Sequence, residues 1–275
     1  MNTFKCQICG YTKYKILHKQ NKFVYGLCKK CSFVSQINLH PKEVYVNLPY
    51  QTQSNYEEHS KNRAKYIYDF SKDFIKGKSN FLDIGCSRGG TMKYLKKLIS
   101  NINITGCTVM GNESMVDSKL NIINKDFNNI KFKSKYDFII MSHILEHFID
   151  IRSSLKKVYS LMNNDSIAYI EVPWIDYLKV RIKSEYFPEH ISYFTPHSLK
   201  NLLLTSGYTI VKFKSSKYWG NIKVLVKKDN SGVKKIINFH KNKHYLLYIL
   251  EKKFRRLTHW FYKFNLKYFN INSND

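Results

Sequence analysis

The chain predicts an α/β fold around a seven-stranded, mostly parallel sheet. Three observations carry this. From residue 80 onward, short apolar strand-like runs alternate with helical periodicity, the pattern of a parallel sheet covered by helices. One of those runs enters a glycine loop that opens a helix, FLDIGCSRGGT at 81–91. The flanks differ in kind: paired cysteines before residue 40 and a basic aromatic stretch after 228. At 275 residues and 43% hydrophobic, the chain has room for one sizeable core plus a small appendage, and disorder is excluded.

Taken in order, residues 1–40 hold Cys6-x2-Cys9 and Cys28-x2-Cys31 among β-like stretches. Two such knuckles let each pair grip a metal from a tight turn, and four thiolates close a tetrahedral shell with no open position. This segment predicts a zinc-ribbon with a structural Zn(2+). Residues 41–60, with Pro41, Pro49 and the polar run QTQSNYEEHS, read as a linker. Residues 61–76 read as a helix, with Ala64, Ile67, Phe70 and Phe74 at helical spacing.

The seven strands are expected at 81–84, 103–110, 120–127, 136–141, 167–172, 208–215 and 221–227. Helices are expected at 91–99, 151–162 and 196–205, the last opened by Thr195-Pro196 as N-cap and first residue. The main domain therefore spans 61–228.

Residues 229–275 form a different segment. HYLLYILEKKFRRLTHWFYKFNLKYF places Leu247, Leu250, Phe254, Leu257, Trp260 and Phe264 at three-to-four spacing among Lys and Arg, an amphipathic basic helix. Three readings compete: an anionic membrane surface, RNA, or packing on the domain or a second subunit.

The formal net charge of +26 implies an anionic partner: nucleic acid, anionic lipid or a phosphorylated substrate. Residues 1–20 lack the apolar core of a signal peptide, and no run of about 18 apolar residues spans a membrane. Six cysteines without a secretory signal point to thiols or metal ligands in a reducing cytoplasm, with peripheral membrane association through the tail.

The glycine loop alone fits several nucleotide sites, although the absence of Gly-Lys-Ser/Thr excludes a Walker loop. Its run of apolar strand, Asp83, Gly85-x-Ser87-x-Gly89 resembles the first motif of class I S-adenosylmethionine methyltransferases, a Rossmann-like family. SHILEHFID (142–150) and PEHISYFTPHSLKNLLLTSGYTIV (188–211) resemble one branch of that superfamily, frequent in sugar and surface-polysaccharide methylation and often preceded by a zinc-ribbon. In its sugar C-methyltransferases a Glu-His pair matches Glu189-His190, with Tyr at the position held here by Phe187.

The resemblance implies S-adenosylmethionine as cofactor and assigns the following roles. Asp83 holds the loop, and Gly85, Cys86, Ser87 and Gly89 cradle the methionine and ribose. Asp126 faces the adenine amino group, and Ser142 and His143 line the pocket under the sulfonium. The second-strand acid that grips the ribose falls at Thr108, which gives one hydrogen bond or is replaced by Glu113.

Methyl transfer aligns the partners and removes a proton from the acceptor, which suits histidine. Of His143, His147, His190 and His197, the first candidate base is His190 with Glu189. The second is His147 with Glu146, for which a purely structural role competes. His197 reads as architectural. The expected function is methylation of a small-molecule, sugar or glycan intermediate; alternatives are RNA methylation and a non-catalytic scaffold.

Overall fold

The computed structural model describes residues 5–38, 53–109, 118–174, 189–216 and 220–229. The tail beyond Asp229 and Glu113 lie outside the described residues.

The main sheet runs β10–β11–β8–β7–β4–β5–β6, where β4 is Asn80–Ile84, β5 Asn103–Thr108, β6 Asn121–Asn124, β7 Tyr136–Ser142, β8 Met162–Pro173, β10 Tyr208–Ser216 and β11 Asn221–Lys228. β4, β5, β6, β7 and β8 pair in parallel, and β11 runs antiparallel to β8 and β10. The seven-stranded, mostly parallel sheet expected from the sequence is therefore present. Its central strands read as continuous apolar runs because both faces are covered.

Alternation along each strand divides the core. Phe81, Phe138, Ile140 and Tyr169 face α1 (Gln53–Ser71) and α2 (Gly90–Leu98), meeting Ala64, Ile67, Met92 and Leu95. Leu82, Ile139, Met141 and Ile170 face α3 (Ile151–Leu161) and α4 (Pro196–Thr205). α3 buries Ile151, Leu155 and Val158 at helical spacing, and Asp150 caps it by accepting from the Ser153 N–H at 3.0 Å. α4 carries the reciprocal Thr195/Ser198 cap with Pro196 in its first turn, as the sequence predicts.

Two expectations need correction. α1 begins at Gln53, not 61, so the last part of the supposed linker is helix. Its polar residues are employed against α2: Glu57 accepts from Tyr94 Oη at 2.6 Å and pairs with Lys93 at 3.3 Å. Polar composition resembled a linker because this helix turns polar atoms toward a helix N-terminus.

The cysteine segment, expected as a separate appendage, shares the main core. Cys6, Ile8, Cys28, Cys31 and Phe33 pack in one cluster with α3, α4 and the sheet. Its strands β1 (Tyr14–Gln20), β2 (Phe23–Cys28) and β3 (Val34–Gln36) are joined by β9 (Ser192–Tyr193) from the main domain, in the order β1–β2–β3–β9. Arg152 on α3 donates to the backbone carbonyls of Gln7 and Ile8, the latter at 2.6 Å.

Candidate functional site

Strands β4 to β8 deliver their carboxyl ends to one edge of the sheet, where open α/β sheets hold ligands. At β4, Gly85 and Cys86 both donate backbone N–H groups to Cys107 O, at 2.8 and 3.1 Å, which folds the loop back over β5. Gly85 sits at φ +80°, and a Cβ there would lie 2.9 Å from Ile144. Only glycine meets both demands. Ser87 and Gly89 also take positive φ. Gly89 then starts α2 without a side chain of its own to cap the helix.

Asp83 is buried beneath this loop, and burial, partly offset by Arg63, pushes its carboxyl up to about 7. Cys86 is buried against Gly106, where an added Cβ would lie 2.6 Å from its Sγ. Thr108 ends β5, buried and paired with Asn124 of β6. Asp126 lies just past β6, which is shorter than expected; its Oδ1 accepts from the Asn128 N–H at 2.8 Å and caps a 3-10 turn.

β7 and β8 bring acids and histidines. Ser142 Oγ donates to Glu171 Oε2 at 3.0 Å, and Tyr169 Oη donates to the same oxygen at 2.9 Å. His143, at φ 54°, stands between two carboxylates, its Nδ1 3.6 Å from Glu146 and its Nε2 3.8 Å from Glu171. Burial opposes charge on His143, but the nearby Glu146 and Glu171 carboxylates outweigh it and lift the ring to about 9. Burial likewise opposes charge on Glu171, yet His143 and Lys223 bring it down to about 2.

His147 and His190 stack edge to face at 4.8 Å. Burial pushes His190 down to about 4, so its ring stays unprotonated at neutral pH. The arrangement revises the pairing expected from the sequence. Glu189 offers its backbone carbonyl, which accepts from His147 Nδ1 at 2.9 Å. Its charge, together with burial, raises Tyr25 to about 12. Among the described residues, the carboxylate beside the two imidazoles is that of Glu146, 4.0 Å from His147 Nε2. The cause is local geometry: residues 189–190 lead straight into β9, and the Ile191 N–H binds Glu146 O at 2.9 Å. His197 stands in the first turn of α4, its Nε2 3.0 Å from the Asn201 amide.

Sequence reasoning missed Glu171, although an acid inside the apolar run IAYIEVP is a readable signal for a function at a strand end. It also missed α1. Tyr56 Oη accepts the Gly90 N–H at 3.0 Å, and Arg88 lies 4.9 Å over the Tyr56 ring. Arg63 adds charge near His143, and burial lowers His59 beside the same groups.

At the other end of β9 lie the four cysteines. Cys6 Sγ is 3.5 Å from Cys31 Sγ and Cys9 Sγ is 3.5 Å from Cys28 Sγ, all four within 4.8 Å of one another. A tetrahedral four-thiolate zinc shell sets sulfurs about 3.8 Å apart, so the donor set fits such an ion. The two knuckles repeat one geometry: Gly10 N–H to Cys6 O and Ser32 N–H to Cys28 O, with positive φ at Gly10 and Ser32.

A glycine loop at the first central strand, with acids and histidines at the next, defines a nucleotide-type cofactor crevice of the doubly wound α/β class. Residues 56–212 match the family model described as "Methyltransferase domain", and the chain belongs to that family. Among curated proteins it is similar to (S)-tetrahydroprotoberberine N-methyltransferase from Eschscholzia californica, 27% identical over 106 residues, 35% of this chain and 30% of that protein. N-methyltransferase 4 from Papaver somniferum is 28% identical over 39% of this chain and 33% of its own length. The match thus spans about a third of these relatives. Among solved structures, a SAM dependent methyltransferase from Archaeoglobus fulgidus has a TM-score of 0.51 at 23% identity, covering 62% of this chain and 94% of that one. The mitomycin 7-O-methyltransferase MmcR gives 0.52 at 16%, over 62% of this chain and 54% of that one. These likenesses are of fold.

No helix among the described residues is long and apolar enough to cross a membrane.

Proposed function

We propose that the protein transfers a methyl group from S-adenosylmethionine to a small-molecule acceptor, and that this acceptor is a sugar or glycan intermediate. The observation that carries the reading is the Gly85–Gly89 loop folded over β5 at the carboxyl edge, directly beside His143 and Ser142. The loop's backbone would hold the methionine and ribose portion. Thr108 would meet the ribose, and Asp126 the adenine. The acceptor would enter on the β7–β8 side.

Methyl transfer is an in-line displacement at a cationic sulfur, so alignment and proton removal are the protein's tasks. His190 would take the acceptor's proton, with His147 and Glu146 beside it. Glu189 contributes through its carbonyl, which holds the His147 ring. The two carboxylates, Glu146 and Glu171, favour the sulfonium and the acceptor's developing positive charge. The four cysteines would hold a structural zinc ion that braces β3 and so β9.

Isothermal titration with S-adenosylhomocysteine tests the cofactor half. Labelled-methyl transfer to nucleotide sugars, lipid-linked glycans and RNA tests the acceptor. Binding without transfer to any sugar, together with RNA that copurifies at low salt and accepts label, would overturn the sugar assignment.

A further inference from the structure

A second group of metal-type donors lies apart from the four cysteines. Glu146, His147 and His190 each offer one donor atom, and the three atoms lie within 4.8 Å of one another. Glu146 is the unusual member. Its side chain is 1% exposed, and neither carboxylate oxygen has a hydrogen-bond partner among the described residues. A buried carboxylate without bonds is strongly disfavoured unless cationic groups complete it, and the His143 ring meets it on one side only. The nearest imidazole nitrogens stand off at 3.6 Å (His143) and 4.0 Å (His147), beyond hydrogen-bond length.

The His147 tautomer follows from its neighbour. Its Nδ1 lies 2.9 Å from Glu189 O, and a carbonyl only accepts, so Nδ1 carries hydrogen. In the neutral ring Nε2 is then a lone pair on the Glu146 side. Metal-binding histidines regularly donate their other N–H to a carbonyl in this way. The backbone fixes the third donor: Ile191 N–H to Glu146 O, at 2.9 Å, locks the segment carrying His190 against the one carrying Glu146 and His147. Three atoms no more than 4.8 Å apart share a centre no more than about 2.8 Å from each, so shifts of under about 1 Å bring imidazole and carboxylate ligands to bonding distance around a divalent ion.

We propose that Glu146, His147 and His190 bind a divalent first-row transition-metal cation, zinc foremost, whose open positions face the acceptor. Two imidazoles and one carboxylate suit zinc, iron(II) or cobalt(II) and do not suit calcium or magnesium, which prefer all-oxygen shells. The ion's use rests on the methyl-transfer reading, and where His190 ligates the ion, the ion and not the ring promotes loss of the acceptor's proton. An acceptor hydroxyl on an open position would ionise more readily, its proton leaving to solvent. Its oxygen would then bond the methyl carbon as the S–C bond breaks, leaving the neutral thioether.

Metal content is measured independently of turnover. The full chain, loaded with zinc chloride and dialysed, is expected to hold about two zinc ions per chain, one at the cysteines and one at this cluster. Glu146→Gln and, separately, His190→Asn should each lose one equivalent while still binding S-adenosylhomocysteine, which reports an intact fold. Cobalt(II) loading should give bands without thiolate charge transfer that disappear in both variants. Wild-type zinc removed entirely by substitution of the cysteines, or a second zinc retained in His190→Asn, would overturn the proposal. Failure of wild type to bind S-adenosylhomocysteine would instead strike the methyl-transfer reading and leave the metal count standing.

Discussion

The two sides of the crevice are made of different material. On the β4–β5 side the shape is set by backbone: the Gly85–Gly89 loop, pinned by Gly85 and Cys86 N–H groups on Cys107 O, and the start of α2. On the β7–β8 side they are side chains, with His143, Glu146, His147, Glu171 and His190 converging from β7, β8 and the segment before β9. A backbone cradle needs small residues at fixed spacing and is written in a few consecutive positions. A side-chain cluster needs segments far apart in sequence to meet, and each member is ambiguous alone.

The sharpest way to break the first side is Gly85→Val. Valine is disfavoured at φ +80°, and its Cβ would press on Ile144. Binding of S-adenosylhomocysteine should fall below detection by isothermal titration, at a temperature where circular dichroism still shows a folded chain. Retained binding would mean that the ligand does not use this loop. The contact with Ile144 also shows that the two sides touch, since Ile144 directly follows His143.

The second side should break differently. His190→Ala is expected to lower methyl-transfer turnover about 100- to 10,000-fold, the usual range for losing a proton acceptor, with affinity for S-adenosylhomocysteine nearly unchanged. Loss of cofactor affinity would move His190 to the backbone side of the comparison. Normal turnover would shift proton removal to His147.

This contrast explains what was legible in the sequence. The seven strands of the main sheet and helices α2 to α4 could be placed because their apolar periods are local, and the loop because its glycines are closely spaced. The cysteine pairs were legible by spacing, but not the sharing of β9, which pairs Val34 with Tyr193 across 159 positions of chain. α1 was cut short because QTQSNYEEHS has no apolar period. Its Tyr56 and Glu57 serve the start of α2, a role that only the folded neighbour reveals. Glu189 was preferred to Glu146 because it adjoins His190 in sequence, whereas the fold brings the carboxylate across from β7.

Asp83 probes the glycine side through pH. Burial lifts its carboxyl from 3.8 to about 7, against the pull of Arg63 on α1; the thiols of Cys86 and Cys107 lie nearby. Between these values the folded state binds a proton that the unfolded chain has released. Stability therefore falls as pH rises through this window and levels off above about 7. Asp83→Asn should remove that slope, so the variant gains on wild type by up to a few kcal/mol between pH 4 and 7. Parallel stability–pH curves from chemical denaturation would show that Asp83 is ionised and solvated.

Arg152 tests whether the histidine side depends on the cysteine segment. Its guanidinium reaches Gln7 O, Ile8 O and Thr205 Oγ1, tying the first knuckle to α3 and to the end of α4. The same segment holds β9 through β3, and Gln36 Nε2 donates to His190 O at 3.3 Å. Arg152→Ala leaves two half-buried carbonyls short of a donor, at about 1 kcal/mol, the low end for an unsatisfied group. The unfolding free energy should fall by that amount in a single transition, because knuckle and sheet share one core. Hydrogen exchange should quicken at Ile191 and through β3, while the amides of Gly85 and Cys86 keep their protection. Two separated transitions would show that the cysteine segment folds on its own, and equal quickening on both sides would show that the crevice has no division of the kind described.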